Sequence, residues 1–66
     1  MKVVFQGRSE ETASRSLAEF LAAKGVDAAK AIVECAGEIY APGSVLDGVT
    51  LADGCKIDVF RIVAGG

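Results

Sequence analysis

The chain has 66 residues, enough for one domain and no more, and 52% of them are hydrophobic, too many for a disordered segment. Seven basic against nine acidic side chains leave a formal net charge of −2, which gives no electrostatic reason to seek nucleic acid or an anionic membrane. No apolar run is long enough to span a bilayer, histidine is absent, and the two cysteines lack CxxC spacing, so neither a membrane span nor an ordinary zinc site is expected.

The start, Met1-Lys2-Val3-Val4-Phe5, turns polar too soon for a signal peptide, and the expected compartment is the cytoplasm. Residues 2–6 are rich in β-branched and aromatic side chains and predict a strand. Gly7-Arg8-Ser9 predicts a hairpin turn, with Glu10-Glu11-Thr12-Ala13 as a polar return strand. Ser16-Leu17-Ala18-Glu19 is a capping box, in which the serine hydroxyl accepts the Glu19 N–H and the Glu19 carboxylate reaches back. Leu17, Phe20, Leu21 and Lys24 follow helical spacing, and Gly25 supplies a left-handed stop, so a helix over 16–24 is predicted.

Ala31-Ile32-Val33-Glu34-Cys35 predicts a second strand, Ala36-Gly37 a two-residue turn, and Glu38-Ile39-Tyr40 the start of the return. Turn signals at Pro42-Gly43, Asp47-Gly48 and Asp53-Gly54 make 41–54 irregular, with Leu46 and Leu51 tucked against the core. A last strand is predicted over 56–63, and Ala64-Gly65-Gly66 then leaves the fold as a tail. Cys35 and Cys55 are too few for a disulfide-stapled secreted domain and are read as reduced core or near-core residues. A Cys35–Cys55 bridge is the alternative if their strands are neighbours.

Hairpin, helix, hairpin, loop, strand is an order in which one helix must cover one face of a sheet. The helix also provides a crossover, so the first and last strands can pair in parallel at the centre. The expected fold is therefore an α+β β-grasp, or ubiquitin-like, mixed sheet of four or five strands over residues 1–63. Strand alternation turns Val3, Phe5, Val33, Cys35, Ile57 and Val59 toward the helix. It leaves Val4, Ile32, Phe60 and Ile62 on the open face, a candidate partner-docking patch near the end that emits the tail. Glu10, Glu11, Glu34, Glu38 and Asp58 read as a solvated face able to steer a basic partner.

The element order, the short Gly-Glu hairpin in Cys35-Ala36-Gly37-Glu38-Ile39, the Leu51-Ala52-Asp53-Gly54 segment and the run Val63-Ala64-Gly65-Gly66 resemble the sulfur-carrier family of thiamine biosynthesis (ThiS). Ala36 stands where that family commonly has Asn, and Cys55 where an acidic residue is common. The resemblance implies that the Gly66 carboxylate is adenylated and converted to a thiocarboxylate. It implies that Gly65 keeps the arm thin enough to enter a partner's active site. The implied partners are a ThiF-like adenylyltransferase, which uses ATP, a cysteine desulfurase or other sulfur donor, and a ThiG-like thiazole synthase. The chain itself has no nucleophile–base pair and no phosphate-binding loop, so no catalysis and no bound cofactor are expected. The small subunit of molybdopterin synthase (MoaD) and ubiquitin-related modifiers share fold and tail, and both are alternative readings. A β-grasp interaction module with an accidental Gly-Gly is a further one.

Overall fold

The computed structural model describes residues 1–62. Expectations that fall on Val63, Ala64, Gly65 and Gly66 lie outside the described residues. Five strands form one mixed sheet: β1 (Lys2–Phe5), β2 (Arg8–Glu11), β3 (Ala31–Cys35), β4 (Glu38–Tyr40) and β5 (Lys56–Arg61). A single helix, α1 (Leu17–Ala23), joins the first hairpin to the second, followed by a 3-10 turn at Ala28–Lys30. The strand order is β2-β1-β5-β3-β4, so the last strand in the chain is the central one. β5 runs parallel to β1 and antiparallel to β3, as the crossover requires.

The first hairpin turns earlier than the glycine pattern suggests. Phe5 pairs with Arg8, so the turn is Gln6-Gly7, β1 ends at Phe5, and β2 is 8–11 rather than 10–13. Gln6 is left-handed at φ 51 and Gly7 at φ 81, the two positive angles that match a tight turn to strand twist. The physical reason for the shift is the Gln6 side chain. Its Oε1 accepts the Val59 N–H at 3.0 Å and its Nε2 donates to the Val59 carbonyl at 3.1 Å. The amide thus continues the β1–β5 ladder sideways after the β1 backbone has turned away.

The helix starts where Ser16 accepts the Glu19 N–H at 3.1 Å. Only half of the expected capping box forms, because the Glu19 carboxylate lies 3.4 Å from the Ser16 hydroxyl, which donates to it. The far end closes as a Schellman motif. Gly25, at φ 74, donates to the Ala22 carbonyl, and Val26 donates to that of Leu21. Leu17, Phe20 and Leu21 are buried against Val3, Val33 and Ile57 of the sheet. Leu46 and Leu51 close the same core from the irregular segment, whose strand-like contact is the bridge between Ser16 and Thr50. β5 ends at Arg61 in the described residues, short of the 56–63 expectation, with the Ile62 N–H donating to the Lys30 carbonyl at 3.3 Å.

Candidate docking face

The residues predicted to face the helix do so. Val3, Val33, Cys35 and Ile57 are buried, while Phe5 and Val59 pack partly buried against them. By alternation the opposite face presents Val4, Ile32, Glu34, Lys56, Asp58 and Phe60. Ile32 and Phe60 are direct ladder partners on β3 and β5, so their side chains stand side by side. Val4 and Ile32 are half-buried, whereas Phe60 is 55% exposed. Ile62, 52% exposed, stands just beyond the end of β5. There it helps to line a hollow of about 710 Å³, together with Phe5, Val26, Lys30 and Arg61.

The sequence pattern missed one member of this face. Ile39 is 71% exposed, and its register opposite Glu34 places it on the open side. The signal was present. A two-residue turn at Ala36-Gly37 sets Cys35 opposite Glu38, so Ile39 must face away from the core. Tyr40 lies one step further, opposite Val33, and is half-buried at the end of its strand.

The charges of the face are arranged unevenly. Glu34 and Asp58 sit directly opposite each other on β3 and β5. Among the described residues neither forms an ion pair. A like-charged cross-strand pair is unfavourable for the sheet itself. Glu10, by contrast, is not part of a free solvated face. It pairs with Lys24, whose ammonium also lies 5.3 Å from the centre of the Phe5 ring and 5.8 Å from that of Phe20. Glu11 stands 3.8 Å from the chain's amino group.

No group of three or more metal-ligating side chains is present among the described residues, and no helix among them is long and apolar enough to cross a membrane. No family model and no curated protein matches the chain. The solved structure of a thiamine biosynthesis protein (ThiS) from Geobacter metallireducens does match. The two superpose with a TM-score of 0.78 over 100% of both chains, at 27% sequence identity. The chain is similar to ThiS in fold, a β-grasp, over its full length.

A ThiS-like fold places the candidate residues in relation to one another. Ile32 and Phe60 stand together on the open face, with Ile62 just beyond the end of β5, whereas Val4 shares that face but lies opposite Lys56 at the start of β5, away from the end expected to emit the tail. Gly65 and Gly66 lie outside the described residues.

Proposed function

We propose that this chain is a sulfur carrier, serving formation of the thiazole of thiamine, with the Gly66 carboxylate as the carrying group. The observation that supports the reading is the match, over the full length of both chains, to a protein described as acting in thiamine biosynthesis. A carboxylate is a poor electrophile because its oxide is a poor leaving group. Transfer of AMP from ATP, with release of pyrophosphate, replaces that oxide with a good one. A persulfide sulfur can then attack the carbonyl and expel AMP. Thiol cleavage of the resulting S–S bond leaves a thiocarboxylate, an anionic and soft nucleophile at neutral pH. The activating enzyme supplies the ATP site, a desulfurase or another donor supplies the sulfur, and a thiazole synthase takes it.

In this reading the carrier has two tasks, to dock and to extend a thin arm. The docking face is Val4, Ile32, Phe60 and Ile62, in which Ile32 stands beside Phe60 and both Phe60 and Ile62 are more than half exposed. Gly65, lacking a Cβ, lets the backbone pass a narrow channel.

The test is intact-mass measurement after incubation with the activating enzyme, ATP and a sulfur donor. A sulfur-for-oxygen mass increase at Gly66 is expected. Removal of Gly65-Gly66 should abolish it while leaving the melting temperature unchanged, since the tail follows the last packed strand. Phe60→Ser in the same assay should slow the reaction by weakening docking. An unmodified carboxylate in wild type would overturn the reading. Ladders of conjugates would indicate a protein modifier, and copurification with a large molybdopterin synthase subunit would redirect the sulfur to that pathway.

A further inference from the structure

The two cysteines play no part in the chemistry of the tail, yet the fold brings them together. Cys35 ends β3, and its ladder partner on β5 is Ile57. Cys55 lies two residues before Ile57, so it falls on the same face of the sheet, diagonal to Cys35. Both are free thiols, and both pack into the core beneath the helix. Cys35 is 4% exposed, whereas Cys55 is only half-buried. We propose that Cys35 and Cys55 form a reversible intramolecular disulfide that ties the end of β3 to the start of β5.

Two features support this pairing. In the reduced chain the neighbouring Cys55 thiol adds to the effect of burial in disfavouring ionisation of Cys35. A diagonal pair inside a ladder lies near the upper limit of disulfide reach. Cys55, however, precedes the first residue of β5 and follows the turn at Asp53-Gly54, where Gly54 has φ 82. Its backbone lies outside the β3–β5 ladder but is held in place, its carbonyl accepting the Val4 N–H at 2.8 Å and its N–H donating to the Ala52 carbonyl at 3.0 Å, so rotation of the two side chains must close the remaining gap. The burial asymmetry also orders the chemistry. Hydrogen peroxide oxidises the accessible Cys55 thiol to a sulfenic acid with release of water. The Cys35 sulfur then attacks the Cys55 sulfur, and a second water leaves as the S–S bond forms. Two thiols are oxidised, one peroxide is reduced, and a dithiol reverses the step. The closed ring encloses residues 36–54, which include β4 and the loop carrying Leu46 and Leu51. The proposal is independent of the sulfur-carrier reading.

The full chain, treated with dilute hydrogen peroxide, denatured and alkylated with iodoacetamide, tests the proposal. Oxidised wild type should be a monomer that has lost two hydrogens and takes up no label. Dithiothreitol should restore two labelled sites. In Cys55→Ser, Cys35 should survive the same treatment as a free thiol, labelled after denaturation. In Cys35→Ser, Cys55 should proceed to higher oxides or to intermolecular dimers. Wild type in which Cys35 still takes the label, while Cys55 carries sulfinic acid or joins a second chain, would overturn the proposal. The wild-type measurement stands alone should either variant fail to fold.

Discussion

Among the described residues, two adopt a backbone conformation that their side chains disfavour. Gln6 and Ala36 both have φ 51, and each is followed by a glycine with a larger positive φ. For Gln6 the strain is offset by its two hydrogen bonds to Val59. Ala36 has no such compensation, because a methyl group cannot hydrogen-bond. A left-handed alanine costs roughly 1–2 kcal/mol, and asparagine tolerates the position better. Ala36→Asn is therefore expected to raise stability by about 0.5–1 kcal/mol, read from urea denaturation midpoints at an unchanged slope. A fall in the midpoint would show that the methyl group is needed at the turn. The Ala36-Gly37 turn was legible because it separates two apolar runs. The Gln6-Gly7 turn was not, because Gln6 continues the strand pattern and its reason for turning lies at Val59, far along the chain.

At the level of elements, the parallel contact between β1 and β5 is short. Its register covers Val4 with Lys56 and Phe5 with Ile57, and the Gln6 N–H adds a bond to the Ile57 carbonyl. The Gln6 side chain then stands in for a further backbone residue. Gln6→Ala removes both amide bonds and should cost about 1–3 kcal/mol in total. Hydrogen exchange provides a local check, since the Val59 amide should lose protection while the buried helix residues keep theirs. Equal loss throughout would mean that the amide supports the fold globally rather than this one ladder. The helix was the most legible element. Its three apolar anchors, serine cap and terminal glycine all act locally, and α1 spans Leu17–Ala23 between those caps. The β2 strand was the least legible, because Arg8-Ser9-Glu10-Glu11 carries no apolar alternation and is placed by pairing with β1 alone.

For the molecule as a whole, one buried group couples stability to pH. Burial raises the Cys35 thiol from 9.0 to about 11, with the neighbouring Cys55 adding to the shift. Below pH 9 the thiol is neutral in both folded and unfolded chains and contributes no pH dependence. Between pH 9 and 11 the unfolded chain ionises first, so stability falls as pH rises, by an amount on the order of 2–3 kcal/mol. Cys35→Ala should flatten that part of the stability curve when melting is followed across pH 8–11. An unchanged slope would assign the alkaline sensitivity to other groups. The topology was legible as a whole, since hairpin, helix, hairpin and strand admit few arrangements. The apolar open face was legible too, apart from Ile39, because alternation along β3 and β5 gives it directly. The pairing of Glu34 with Asp58 was not, because it depends on the register between strands 24 residues apart in the chain, 58 minus 34.

The central position of β5 also bears on how the molecule is made. The two hairpins, β1–β2 and β3–β4, have no ladder between them, and β5 is the strand that joins them. A nascent chain that has not yet released residues 56–61 therefore has two half-sheets and no complete core, since Ile57 is still missing. Translation thus delivers β5 after both hairpins, and the sheet cannot close until residues 56–61 have emerged. Chains broken off before β5 should remain open to cellular proteases, so a folded domain is itself a certificate that the polypeptide was read through residue 61.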